Sequence, residues 1–427
     1  MVALYEPTVF HFPSMESPVM SQTIPATMLL DRSILDNPYP FYQRLQKEAP
    51  VWRVPGTHIY VVTSHALLEE ATKRVDDFSS SLTSVLYRKF NGLPGRVRYK
   101  PGALPVLATA DPPIHTQHKT AVFSHFSAKS IAALKPEIEK VAADCIRKAL
   151  TKEKTDFMQE IGNPLPMRIV SDLVGFKEGD INKLLRAAFD STAVVSGSSC
   201  IYQLGWYMLR SYNVYRWVGG QLRSTPTDSQ NILGAIKRSI NDGILSELEG
   251  RAFLLLFLAA GGESTTSLLG SAVRMLADDQ ALQTKLREQP ELIPAFVEEV
   301  LRLESPFRFH LRSTPQDTVL GNTKIPAGAT VLLFWGAGNR DPETFDNPDR
   351  INLARPRKHI TFGRGIHTCI GAPLARLEAQ TMLQLLLEST SCISLDPSDQ
   401  PQWVSSLQVR RYQRLPVILK PRSIGMV

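Results

Sequence analysis

Cysteine is scarce in this chain. Its 427 residues hold four, at positions 145, 200, 369 and 392, and none forms a CxxC pair. That excludes zinc-ribbon spacing and the C-x-x-C-H attachment motif, and it fits free thiols in a reducing compartment. Long apolar runs are lacking as well. The longest, 252–260 (AFLLLFLAA), is about half of the ~20 residues that cross a bilayer, so it reads as a core helix and not as an anchor. The first 25 residues carry Glu6 and several prolines where a secretory signal needs an apolar stretch, so a cytoplasmic location is expected. Charge of one sign is also in short supply. Lys plus Arg is 48 against 41 for Asp plus Glu, a net charge of +7. A surplus that small over this length argues against nucleic acid, while leaving room for a local basic face that meets an acidic partner. No G-x-G-x-x-G follows a strand pattern, so no nicotinamide or flavin domain is expected.

What is present is an ordinary globular composition, 43% hydrophobic and 21% charged. Residues 1–25 are proline-rich and aperiodic and read as a loose leader, with Met20 an alternative start; 26–427 reads as one unit. A helix is expected over 39–47 and a hairpin over 51–63, turning at Pro55-Gly56. The stretch 79–109 has clustered Ser, Gly and basic residues and reads as a long functional loop. Asp111-Pro112-Pro113 reads as a helix start with Asp111 as cap. Helical periodicity then continues to about residue 305, and 331–334 reads as a strand. The class is mainly α with small sheets.

Three stretches carry chemistry. The first is 362–376, FGRGIHTCIGAPLAR, where glycines bracket Cys369 and a helix starts near Pro373. Thiolate, not thiol, ligates metal, and a helix N-terminus stabilises that anion. The second is a helix announced by the capping box Ser246-Glu247-Leu248-Glu249. It is apolar nearly all round, yet holds Gly261-Gly262-Glu263-Ser264-Thr265 at its middle. Mid-helix glycines and a buried carboxylate both oppose stability, and such breaks of local rules mark functional sites. Close packing of small residues is the other reading. The third is Glu299 with Arg302, three residues apart on an amphipathic helix that ends at Ser305-Pro306.

Together these stretches resemble the cytochrome P-450 family, in order and spacing over roughly residues 30–420. The pattern F-G-x-G-x-H-x-C-x-G-x-x-L-A-R is met at every fixed position. The resemblance implies the family's triangular-prism fold, with haem b held without covalent attachment between the central (I) helix and the cysteine-loop (L) helix. Cys369 would be the axial thiolate, whose electron donation favours O–O cleavage. Phe362, Gly363, Gly371 and Gly261 would face the macrocycle. His115, Lys119, Arg312 and His367 would meet its carboxylates, Lys119 standing where the family usually has the forked Arg. Glu263, Ser264 and Thr265 would handle dioxygen and protons, with Ser264 replacing the usual Thr. Glu299 and Arg302 would form a structural triad with Arg355. Leu254, Phe257, Leu258 and Phe309 are candidate substrate-pocket walls, and the aromatic stretch 196–220 a candidate lid. Arg357, Lys358, Arg364 and Arg376 would present a basic face to a ferredoxin-type donor served by its own reductase. The implied activity is insertion of one oxygen atom of dioxygen into a hydrophobic small molecule. A haem sensor without turnover, and a peroxide-driven or isomerising haem enzyme, are the alternatives.

Overall fold

Apolar residues at helical spacing outnumber those at strand spacing, and the architecture follows. The structure, a computed structural model, describes residues 24–98, 105–177 and 179–422. Helix α1 (Tyr39–Glu48) buries Phe41, Tyr42 and Leu45. Strands β1 (Val51–Arg53) and β2 (Ile59–Val62) then pair antiparallel, with Arg53 opposite Tyr60. Next come β3 (Ser84–Arg88) and β4 (Pro94–Arg98), a hairpin inside the stretch expected to be an irregular loop. Its arginines, glycines and prolines are poor strand formers, so pairing decides where propensity does not. Helix α2 (Ile114–Phe123) follows. Asp111 does not cap it: the carboxylate accepts from the Ser80 N–H at 2.9 Å and from the Ser79 hydroxyl, tying α2 to the preceding segment.

The helical body contains α3 (Pro164–Val174), α4 (Ile181–Val195), α5 (Ile201–Ser224) and α6 (Glu247–Asp278). The Ser246 N–H donates to Glu249 Oε2 at 2.7 Å and the Glu249 N–H donates back to Ser246 Oγ at 3.2 Å, so the capping box closes α6 at its start. Its 32 residues pack against α3 and α4. Among the described helices α6 has the length and apolarity to cross a bilayer, but 67% of its most apolar window is buried in protein, which makes it a core helix. Helix α7 (Ile293–Leu303) leads to β5 (His310–Ser313), then β6 (Thr330–Leu333), and α8 (Ala372–Ser389) follows the cysteine loop.

The four-stranded sheet runs β1-β2-β6-β5. Its centre is parallel, Val61 opposite Leu332, and all four residues of both β2 and β6 are buried. A strand covered on both faces must be apolar throughout, and both are nearly so. Ile24 already packs with Leu29, Leu30 and Leu86, so the core begins before residue 26; residues 1–23, Met20 among them, lie outside the described residues.

Candidate active site

The loop before α8 is shaped by backbone, not side chains. Gly363 and Gly365 both adopt φ of +70°, a left-handed conformation that only glycine takes without strain. A Cβ on Gly365 would lie 2.9 Å from the Thr72 carbonyl oxygen. The Cys369 N–H donates to the Phe362 carbonyl at 2.9 Å, closing the loop. The sulfur then sits where the backbone N–H groups of Gly371 and Ala372 face it from the start of α8. Burial pushes the Cys369 thiol up, and those two N–H groups and Arg376 pull it down. Burial is the larger effect, so a bound cation is needed to make the thiolate the resting form. Cys369 is densely surrounded by protein, and its open surface belongs to a cavity of about 250 Å³.

One stripe of α6 forms the cavity's opposite boundary. Leu256, Phe257, Ala260, Gly261, Ser264 and Thr265 line it, recurring at the one-and-four spacing of a single helix face. Leu254 and Leu258, expected in the wall, point into the core elsewhere, because each is rotated off this stripe. Phe309 is also absent from the wall: it stacks on Phe334 with ring centroids 5.1 Å apart. Strand alternation accounts for this, since His310 and Arg312 take the cavity side. The walls that sequence reasoning missed include Leu107, Val170, Val174 and Leu268. Gly261 has a second role, since its Cβ would meet Val170 Cγ2 at 2.9 Å; a Cβ on Gly262 would collide with Met167. The two glycines therefore let α3 approach α6.

Positive groups converge on one end of the cavity. His115, Lys119, Arg312 and His367 all line it. The His115 and His367 rings lie 4.4 Å apart, and Lys119 Nζ donates to the Ile366 carbonyl at 3.1 Å. The Arg312 guanidinium is buried and donates to the carbonyl of Leu311, its own neighbour, at 2.7 Å, with no salt bridge to a carboxylate among the described residues. Burial lowers it to about 10. His367 Nε2 is buried without a partner, and burial together with Arg312 lowers that imidazole to about 3. A buried cation with no salt bridge, eased only by the more distant charge of Asp111, and an orphaned ring nitrogen are costly unless an anion arrives. A flat, apolar molecule with two carboxylates, lying between Cys369 and α6, fits all of these residues.

Comparison with known proteins decides the reading. The cytochrome P-450 family signature matches residues 221–407. The chain is 35% identical to cytochrome P-450 144 of Mycobacterium tuberculosis over 89% of this chain and 88% of that protein. It is 31% identical to the beta-dihydromenaquinone-9 omega-hydroxylase of Mycobacterium bovis, over 92% of this chain and 78% of that protein. The chain belongs to the cytochrome P-450 family. The crystal structure of CYP109E1 from Bacillus megaterium in complex with testosterone superposes with a TM-score of 0.80 at 25% identity, covering 91% of this chain and 99% of that one. This P-450 is accordingly a haem-thiolate monooxygenase that uses dioxygen, a redox partner and a small-molecule substrate.

Two carboxylates of this P-450 stand out. Glu263 is off the cavity stripe and turns into protein, where Arg411 Nε donates to Oε1 at 3.1 Å and the Thr192 hydroxyl donates to Oε2. Burial raises it above the ordinary carboxylate range, against the pull of Arg411. Ser264, one residue on, faces the cavity and donates its hydroxyl back to the Ala260 carbonyl. Glu378 on α8 is the surprise: it borders the cavity, is buried, has an unpartnered Oε2, and burial raises it well above the usual range. Arg411 had no sequence signal, and Glu378 had only its position two residues past the cysteine-loop motif.

Glu299, Arg302 and Arg355 come together behind the cysteine loop. Arg302 donates to both Glu299 oxygens, at 2.7 and 2.9 Å, and Arg355 Nε lies 3.3 Å from Oε1. Arg302 also donates to the carbonyls of Asn339 and Arg350. Burial opposes charge on Glu299, but Arg302 and the Asn352 N–H hold it below the ordinary range.

Two surface expectations change. None of the 196–220 aromatics lines the cavity; Tyr202, Trp206 and Tyr212 point to solvent. The supposed basic face is partly neutralised, since Arg364 lies 3.3 Å from Glu69, and Arg376 donates to both oxygens of Glu298. Arg357 and Lys358 are exposed.

Proposed function

We propose that this chain is a haem b monooxygenase in which Cys369 supplies the axial thiolate and the 256–268 stripe of α6 bounds the oxygen and substrate space. One observation carries the proposal: the Cys369 sulfur, faced by two helix N–H groups, shares a cavity with Ser264 and with Arg312, a buried cation that has no salt bridge among the described residues. His115, Lys119, Arg312 and His367 would hold the two haem carboxylates. Bound there, haem supplies the one-electron and dioxygen chemistry that no side chain offers.

The chain's own residues do the rest. Phe257, Val170, Val174 and Leu268 orient a hydrophobic substrate and exclude bulk water. The Ser264 hydroxyl is the polar group of the stripe nearest in sequence to the buried Glu263; its proton rests on the Ala260 carbonyl, and rotation off that carbonyl would turn it to the cavity. Glu263, whose pKa burial raises against the pull of Arg411, refills it through an entering water. With so apolar a cavity lining, the chain acts on an apolar small molecule. Its similarity to a protein named for menaquinone hydroxylation, and to one crystallised with testosterone, supports that class. Electrons come from a ferredoxin-type protein and its reductase, docking near Arg357 and Lys358, in the cytoplasm. Residues 26–427, with Ile24 packed onto them, act as one haem domain.

The test is turnover of a substrate found by its shift of the haem spectrum. With labelled dioxygen, a ferredoxin and reductase, one labelled oxygen atom enters the product, and Cys369→Ala abolishes both label and the thiolate-type carbonyl spectrum. Product formed with peroxide alone, and none with dioxygen and donor, overturns the monooxygenase reading.

A further inference from the structure

Two segments of the chain lack carboxylates altogether. Between Asp77 and Asp111 there is no Asp or Glu, but there are Arg88, Lys89, Arg96 and Arg98. Between Asp190 and Asp228 there is again none, but there are Arg210, Arg216 and Arg223. The fold joins these segments. The Arg88 N–H donates to the Ser199 carbonyl at 2.9 Å, and the Phe90 ring lies 6.1 Å from that of Tyr202. The β3–β4 turn and the first turns of α5 thus make one surface.

That surface is apolar where a surface helix is normally polar. Helix α5 buries Leu204, Val218 and Leu222 on its inner side. Outward it shows Tyr202, Trp206, Leu209 and Tyr212, spaced by four, three and three, and each is more than half exposed. Phe90 beside them is 87% exposed and Met208 66%. Single exposed apolar residues are ordinary; six on two touching elements are not. None of them lines the cavity, so the substrate site does not account for them.

We propose that this face docks on the surface of an anionic lipid bilayer. Trp206, Leu209 and Phe90 would enter the interface, Tyr202 and Tyr212 would sit at headgroup depth, and the exposed Arg88, Lys89 and Arg216 would meet lipid phosphates. Trp and Tyr favour that depth because their rings are apolar with a polar tip. Basic residues around an apolar helix face are what an anionic interface selects. Charge separates this occupant from the other two. A second copy would bring the same cations against each other. An acidic protein would satisfy the cations but has no need of the aromatic row. Arg210 is already neutralised by Asp190, Arg223 pairs with Glu247, and Arg96 and Arg98 donate to the Gly328 carbonyl, so the cations assigned to lipid are Arg88, Lys89 and Arg216. Asp31, near enough to act on Arg88, softens this positive field without reversing it. The proposal is independent of the haem reading.

The experiment is flotation of the full chain with vesicles of phosphatidylcholine alone and of phosphatidylcholine containing phosphatidylglycerol. The chain is expected to float with the anionic vesicles, to float poorly with the neutral ones, and to be released by added salt. Trp206→Ser with Leu209→Ser, and separately Arg88→Glu with Lys89→Glu, should each lower partitioning roughly tenfold or more. Both pairs are exposed, so unchanged circular dichroism and melting are expected of each. Failure of the unaltered chain to float with anionic vesicles overturns the proposal. So does unchanged flotation of the serine pair, or a concentration-dependent dimer, seen by light scattering, that the serine pair abolishes while flotation stays the same.

Discussion

Glu299 and Glu263 are both buried, both on helices and both opposite an arginine, yet their surroundings differ in kind. Glu299 takes two bonds from Arg302, one from the Asn352 N–H and a close approach from Arg355. Every lone pair is used, and the carboxylate is held charged. Glu263 takes one arginine nitrogen and one hydroxyl, and burial outweighs both, so its pKa is raised above the ordinary carboxylate range. Saturation makes an ionised group a fixed part of the scaffold. An under-supplied carboxyl one residue from the cavity stripe is shifted toward holding a proton, as its proposed role requires.

The largest effect should come from Glu299→Gln. It leaves Arg302 and Arg355 buried without a counter-charge, which costs about 3–5 kcal/mol. Thermal or urea denaturation should show a sharply lowered midpoint, and a loss below about 1 kcal/mol would sink the saturated-network view. Glu263→Gln should separate the two regions in the opposite sense. Product formation per folded haem protein should fall on the order of a hundredfold, since a proton donor is lost. Stability should fall by about 1–3 kcal/mol, the range for disturbing one buried hydrogen-bonded partner of Arg411. If melting drops as far as in Glu299→Gln while turnover holds, the two glutamates are equivalent and the comparison fails.

Acid and alkaline limbs of stability give a finer contrast. Although burial opposes its charge, Glu298 is held at about 2 by Arg376 and His359, against an ordinary 4.5. A depressed folded value contributes stability above the unfolded one and loses it as pH falls, so the Glu298 contribution should disappear between about 4.5 and about 2. Glu263 and Glu378 are raised, so theirs has the reverse sign: full below the ordinary carboxylate value and lost as pH rises through the folded one. Denaturation midpoints against pH should therefore show Glu298→Gln flattening the acid limb and Glu378→Gln flattening the other; a flattened acid limb in Glu378→Gln would contradict the assignment. Ser264→Thr should be the mildest change. The hydroxyl is kept and a rotation-limiting methyl added, so product per electron consumed should change by no more than about tenfold, with melting within roughly 0.5–1.5 kcal/mol of the parent.

Legibility in the sequence followed chain distance. Cys369 and its glycines, Glu299 with Arg302, and the Ser246 cap are each written within a few consecutive residues, where backbone geometry translates directly into spacing. Arg411 against Glu263, or Val170 and Leu107 in the cavity wall, depend on elements far apart in the chain and left no local trace. Leu254, Leu258 and Phe309 show a second limit. A helix apolar all round, or a strand buried on both faces, does not reveal by composition which side meets a cavity, so only the rotational stripe sorted Phe257 from Leu258. The aromatics of α5 show a third: amphipathicity normally points aromatic rings inward, and here the outward face carries them.

The parallel pairing of β2 with β6 also sets a timetable for biosynthesis. Their partnered residues are separated by about 270 positions, so the ribosome must work for roughly 15–50 s after making Ile59–Val62 before Thr330–Leu333 exists to join them. Throughout that interval a largely apolar strand, paired with β1 on one edge only, waits for its second neighbour, and Cys369 has yet to be translated. Cofactor loading must therefore be a late event, and a chaperone that shields nascent strands should matter more to the yield of this protein than to that of a bundle built from sequential helices.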